Sequence, residues 1–276
     1  MVLPTSSFSF PKNYVYGNDS TQSSVDHGRL ALVIGGTAGI IAAAHLQNHN
    51  SWWRGDIGAF HLGEDGTPYL HQDKLGHFYF TYLSSDIIGR SFGWAGVEQS
   101  IAVWYGGAIA LGFQTYVEIE DGFHPELGFS LGDETADILG AAWPIGQSKW
   151  MFLENIHPKW SVIESAAYRS GHYRTIIDDY ESQYVWFSGN IRGLFGESTP
   201  AFVPSFVNVA LGFGVKGILE PGGAHREVYL GLDVDWDKLP GDGSFLIALK
   251  HALNYIHTPA PTIRFTPHVV MYGLRF

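Results

Sequence analysis

Val228-Tyr229-Leu230-Gly231-Leu232-Asp233-Val234-Asp235-Trp236 alternates without a break, with the larger apolar residues on the even positions and Tyr, Gly, Asp and Asp on the odd ones. A period of two places successive side chains on opposite faces of a strand. The same period runs through Val207, Val209, Leu211, Phe213 and Val215, and the last segment, Ile263 to Phe276, sets Val270, Tyr272, Leu274 and Phe276 on one face. Between the second and third of these segments the spacing turns helical. Phe245, Leu246, Leu249, Leu253 and Ile256 fall on one stripe. Residues 201–276 are therefore expected to form an antiparallel β region with one helix. Within it, Asp233 and Asp235 read as a solvated strand face that a cation could bridge.

Moving toward the N-terminus, the period of two is lost. Residues 147–200 read as a mixed connecting segment, partly helical, with a short strand at Tyr184 to Phe187. Residues 29–146 read as four helices. The first, Leu30 to Ala44, is almost wholly apolar and contains Gly35, Gly36 and Gly39. At about 15 residues it is shorter than the ~20 of a full membrane span, which suits a buried core helix or a short membrane-embedded one, its glycines allowing close packing. Asp73 to Gly89, Val97 to Glu118 and Asp133 to Ala142 follow, the last capped by Ser130 and stopped by Pro144. Residues 1–28 form a polar lead-in. The expected fold class is α+β, a Gly-rich helical bundle followed by the β region.

Composition narrows the function. The chain has 276 residues with 16 Lys and Arg against 27 Asp and Glu, a net charge of −11. That balance excludes a nucleic-acid partner, because neutralising phosphates takes cations. Charged residues make up only 16% and aromatics 15%, which excludes a disordered chain and suits one that hides apolar surface in a core, an interface or a membrane. With no cysteine, thiol chemistry, disulfides and lipid attachment through Cys are excluded. The start, Met1-Val2-Leu3-Pro4, lacks the basic region of an export signal, and the chain is expected to be a mature exported protein. The mean hydropathy of 0.00 argues against a polytopic inner-membrane protein.

Three helices carry polar residues one turn apart. Asp73 and His77 are spaced i, i+4; Glu118 and Asp121 i, i+3; Asp133 and Asp137 i, i+4. Each pair shares a helix face, and Gln114 lies one turn before Glu118. Carboxylates are costly inside apolar helices unless they are paired or bind a metal. The six residues are expected to converge, with His77 and Lys74 as their basic partners. Five carboxylates against two bases leave room for a divalent cation, for acid–base catalysis or for a structural hydrogen-bond network. Trp52 and Trp53 read as core or interface anchors.

The order Asp73-Lys74-x-x-His77, Glu118-x-x-Asp121, Asp133-x-x-x-Asp137 with Gly140 resembles the YfiM-like family of predicted periplasmic lipoproteins, in its Bacteroidota-type form. Asp121-Gly122-Phe123 and Gly128-Phe129-Ser130-x-x-Asp133 extend the likeness. The order is also distantly similar to VanZ-like membrane proteins, with Asp121 and Asp137 where those have Gln and Asn. The resemblance implies a location and an architecture rather than a reaction. The expected protein is an envelope component, associated with the outer membrane or its periplasmic face. It touches membrane lipid and other envelope proteins, as a non-catalytic assembly subunit or as an enzyme acting on lipid or cell-wall precursors. Exposed aromatic patches would favour the subunit, and an open cleft at the polar cluster would favour the enzyme.

Overall fold

The computed structural model describes residues 24–63, 69–220 and 222–276, so most of the polar lead-in lies outside it. The helical half holds α1 (His27–Asn50), α2 (Gln72–Trp94), α3 (Gln99–Gly122) and α4 (Leu131–Gln147). A short α5 (Met151–Glu154) leads into β1 (Ile156–Val162). Then come α6 (Ala166–Arg169), β2 (Gln183–Asn190), α7 (Ile191–Phe195), β3 (Val207–Lys216), β4 (His225–Val234), α8 (Ser244–Leu253), β5 (Ala260–Arg264) and β6 (Val270–Arg275). The six strands form one antiparallel sheet in sequence order. The fold is α+β, as the periodicity predicts.

The sheet starts earlier than the alternation suggests: β1 and β2 lie inside residues 147–200. In Ile156-His157-Pro158-Lys159-Trp160 the polar and apolar residues do not separate cleanly, and Lys159 does not look like a buried residue. Helix α4 also runs past Pro144. Its start is as expected, with the Ser130 hydroxyl accepting from the Asp133 N–H at 3.0 Å.

Helix α2 is the axis of the bundle, with α3 and α4 laid against it. Glycine sets the approach. A methyl group added at Gly140 would overlap the Phe78 carbonyl, and one at Gly106 would overlap the Ser85 carbonyl. The backbones come this close because the side chains are missing, and so the polar residues on α2, α3 and α4 can reach one another.

Helix α1 differs from the expectation of a short or buried segment. It spans 24 residues, and only 6% of its apolar window is buried. Leu30 and Val33 pack on Ala95, Phe92 and Ala102, Asp26 N–H donates to the Ala95 carbonyl, and Tyr116 Oη meets His45 at 2.8 Å. Among the described residues the opposite face is bare, and no atom comes within 4 Å of where a Cβ would stand at Gly35, Gly36 or Gly39.

The sheet is patterned inside out. Asn208, Glu227 and Asp233 are buried, whereas Val209, Leu211, Leu230 and Leu232 are exposed. Asp233 and Asp235 are thus not a solvated face. Lys159 and Asp233, three strands apart and both fully buried, meet at 2.7 Å. Flat strands would stand about 14 Å apart at that separation, so the sheet curls round its polar face. The Arg275 guanidinium on β6 lies 4.7 Å from the Tyr184 ring on β2, which requires the same curl. His257 stacks on Trp186 at 3.8 Å inside it. On the outer face, Phe187 packs against Phe78 and Trp143, and Trp160 against Tyr79 and Phe80, joining sheet to bundle. The rest of that face is open. Helix α8 repeats the inversion: Lys250 and His251 are buried while Phe245, Leu246, Ile247 and Leu249 are exposed.

Candidate functional site

Five of the six predicted residues form one connected cluster where α2, α3 and α4 meet. The His77 ring faces Asp137 at 3.1 Å and Glu118 at 3.8 Å. Asp137, fully buried, also accepts from the Thr81 hydroxyl at 2.5 Å and from the Gln114 amide at 3.3 Å. Lys74 bridges Asp73 at 2.9 Å and Asp133 at 3.2 Å and reaches the Ser130 hydroxyl at 3.3 Å. Glu118 accepts from the Ser130 backbone N–H at 2.9 Å, so the residue that caps α4 also anchors the acid on α3.

Asp121 borders the cluster, close enough to feel the charges of His77 and Asp133, but takes its hydrogen bond elsewhere. It accepts from the Trp53 indole N–H at 2.5 Å, which ties the end of α3 to the turn after α1. Trp53 is a core anchor as expected, and Trp52 is half-exposed, donating to Asp178 at 2.9 Å.

The protonation states follow from these contacts. Burial works against a charged His77 ring, but Asp137, Asp133 and Glu118 outweigh it and raise its pKa to about 9. Burial pushes Glu118 up to about 8, against the opposing pull of His77 and the Ser130 N–H. Asp121 is also raised by burial, with the Trp53 hydrogen bond opposing. At neutral pH the cluster therefore contains an imidazolium and a protonated Glu118. Ligand atoms of His77, Glu118 and Asp133 lie within 4.8 Å of one another, a spacing that a divalent cation could bridge once those protons leave.

The span from the loop before α2 to the end of α4 carries the likeness to known proteins. Residues 58–146 match the family described as predicted periplasmic lipoprotein (DUF2279). The matched span contains the whole cluster and excludes α1 and the sheet. No curated protein and no solved structure gives a match to the chain.

A second polar junction has no counterpart in the sequence reading. His251 on α8 faces Asp86 on α2 and Asp237 beyond β4, both at 2.9 Å. Tyr255 donates to Asp86 at 2.7 Å, and Arg90 pairs with it at 2.9 Å. Burial alone would raise Asp86, but Arg90, His251 and Tyr255 hold it well below the usual carboxylate range. Only the i, i+4 spacing of Asp86 and Arg90 was readable; the partners come from 165 residues away.

Proposed function

We propose that this protein is a non-catalytic component of the bacterial envelope, seated at the outer membrane by α1 and by the open outer face of its sheet. The observation that carries the reading is the inverted alternation of β3 and β4. A soluble sheet turns its apolar face inward. A sheet in contact with lipid turns it outward and keeps a polar interior. Helix α1 supports the same seat. It is the one candidate span among the described helices, and at 24 residues it is about 36 Å long. Trp94, stacked under Arg29 at 4.9 Å, and Trp52 mark its two ends, where indoles favour the membrane–water boundary. In this reading α1 supplies a hold on the membrane. The periplasmic description of the matched family agrees with an envelope location. In this reading the His77 cluster is a structural bolt.

Flotation of the full chain on lipid vesicles tests the seat. The native protein is expected to float. Ile34→Lys with Ile40→Lys on the bare side of α1, combined with Leu211→Arg and Leu232→Arg on the sheet, should leave it in the soluble fraction. Flotation undiminished by all four changes would overturn the proposal.

One observation favours a second reading, an enzyme acting on lipid or cell-wall precursors: the raised Glu118 beside His77 and Asp133 has the proton-holding capacity of a general acid. Metal analysis and turnover assays on purified protein, with His77→Ala as control, test it. Activity lost with the fold intact would support this reading over the structural one.

A further inference from the structure

Between the bundle and the sheet lies a groove of about 540 Å³, within the ~300–1,000 Å³ range of small-molecule sites. Its walls are Leu75 and Phe78 from α2, Leu139 and Trp143 from α4, and Phe187 and Phe213 from the outer face of β2 and β3. His71 and Arg226 stand on its rim, and Lys74 lines it with its ammonium held by Asp73, Asp133 and Ser130. Glu227 also borders it, but its carboxylate is held by Arg264 and by the Tyr229 hydroxyl. The rim has unusual backbone: Leu70 and His71, with φ of 52° and 66°, are the two positive-φ non-glycine residues among the described residues, a conformation that costs energy unless its surroundings hold it. Helix α2 starts here without a side-chain cap and with Asp73 in its first turn.

We infer that this groove binds one fatty-acyl chain whose anionic head sits at the exposed Arg226. Three features select that occupant. The walls are hydrocarbon and aromatic, which suits an alkyl tail that gains by leaving water. The exposed Arg226 guanidinium stands at one rim, which suits a carboxylate or phosphate head rather than a neutral sterol. The groove is also continuous with the lipid-facing surface, because Phe213 neighbours exposed Leu211 and Leu139 neighbours exposed Ile138, so an amphiphile can enter from the bilayer. The inference rests on the membrane-seated reading and adds a ligand to it.

The test uses the full chain held in digitonin, whose steroid does not compete for an acyl site, titrated with cis-parinarate, a fluorescent fatty acid. Saturable binding at one site, displaced by oleate, is expected. Leu139→Trp narrows the groove at a wall position that is already exposed and should weaken binding at least tenfold; Ala136→Phe is a second block deeper in the wall. Arg226→Glu, at an exposed residue, should weaken binding of the fatty acid several-fold while leaving displacement by methyl oleate unchanged. Near-ultraviolet circular dichroism confirms that each variant is folded. Absence of saturable binding, unchanged affinity in folded Leu139→Trp and Arg226→Glu, or displacement by inorganic phosphate would overturn the inference. Binding is read in detergent and flotation on vesicles, so failure of the groove and failure of the membrane seat give separate results.

Discussion

Replacing Glu118 by Gln should flatten the pH dependence of stability. In the folded protein burial lifts Glu118 from its ordinary 4.5 to about 8, so the native state holds this proton more tightly than the unfolded chain does. Stability must then fall as pH rises from about 4.5 and level off near 8. At 1.36 kcal/mol per pKa unit, the part of this shift expressed between pH 5 and 8 amounts to about 3 kcal/mol. His77 acts in the same direction over a different window. Its pKa rises from 6.5 to about 9, so its contribution is complete below 6.5 and is lost as pH climbs toward 9. The amide in Glu118→Gln keeps an oxygen for the Ser130 N–H but carries no titrating proton, so the Glu118 part should vanish while the larger share of the His77 part, which comes from Asp137 and Asp133, remains. For a chain of this size 1 kcal/mol corresponds to roughly 2–4 °C in Tm. Melting followed by tryptophan fluorescence in detergent should therefore show the native Tm dropping about 6–12 °C more than that of Glu118→Gln between pH 5 and 8. Parallel curves for the two proteins would refute the assignment of a proton to Glu118.

Lys159→Met should cost about 3–5 kcal/mol, because it strands the buried Asp233 charge, whereas Lys159→Met combined with Asp233→Leu should recover much of the loss; denaturant titration of the three proteins checks both. Gly140→Ala should destabilise by about 2–3 kcal/mol through its clash with the Phe78 backbone, and a Tm equal to the native value would contradict that close approach. Trp53→Phe should cost only about 1 kcal/mol, the worth of one indole hydrogen bond to Asp121, as measured in the same melts.

The bundle, the sheet and most of the polar cluster were legible because their signals are local. Spacing of three or four residues assigned Asp73, His77, Glu118, Asp133 and Asp137 to helix faces, and apolar helices give carboxylates few places to go except toward one another. The orientation of the sheet was not legible. Alternation shows that Leu230 and Leu232 share a face opposite Asp233, but it does not say which face meets solvent, and the usual rule gives the wrong answer here. Lys159 and His251 escaped notice because their partners, Asp233 and Asp86, lie 74 and 165 positions away along the chain. The hydrogen bond from Trp53 to Asp121 was not legible either, because it joins residues 68 positions apart.

The inverted sheet also predicts where the chain can vary. In the proposed membrane seat the outer face meets lipid, which is fluid and fits any hydrocarbon shape, so positions 209, 211, 230 and 232 should accept one apolar side chain for another with little regard to size. The inward set is the reverse. Lys159, Ser188, Asn208, Asp233 and His257 interlock by direction and by charge, and a change at one leaves a partner stranded. Substitutions there should be tolerated only in matched groups, so that in this half of the molecule the polar residues, not the apolar ones, form the invariant framework.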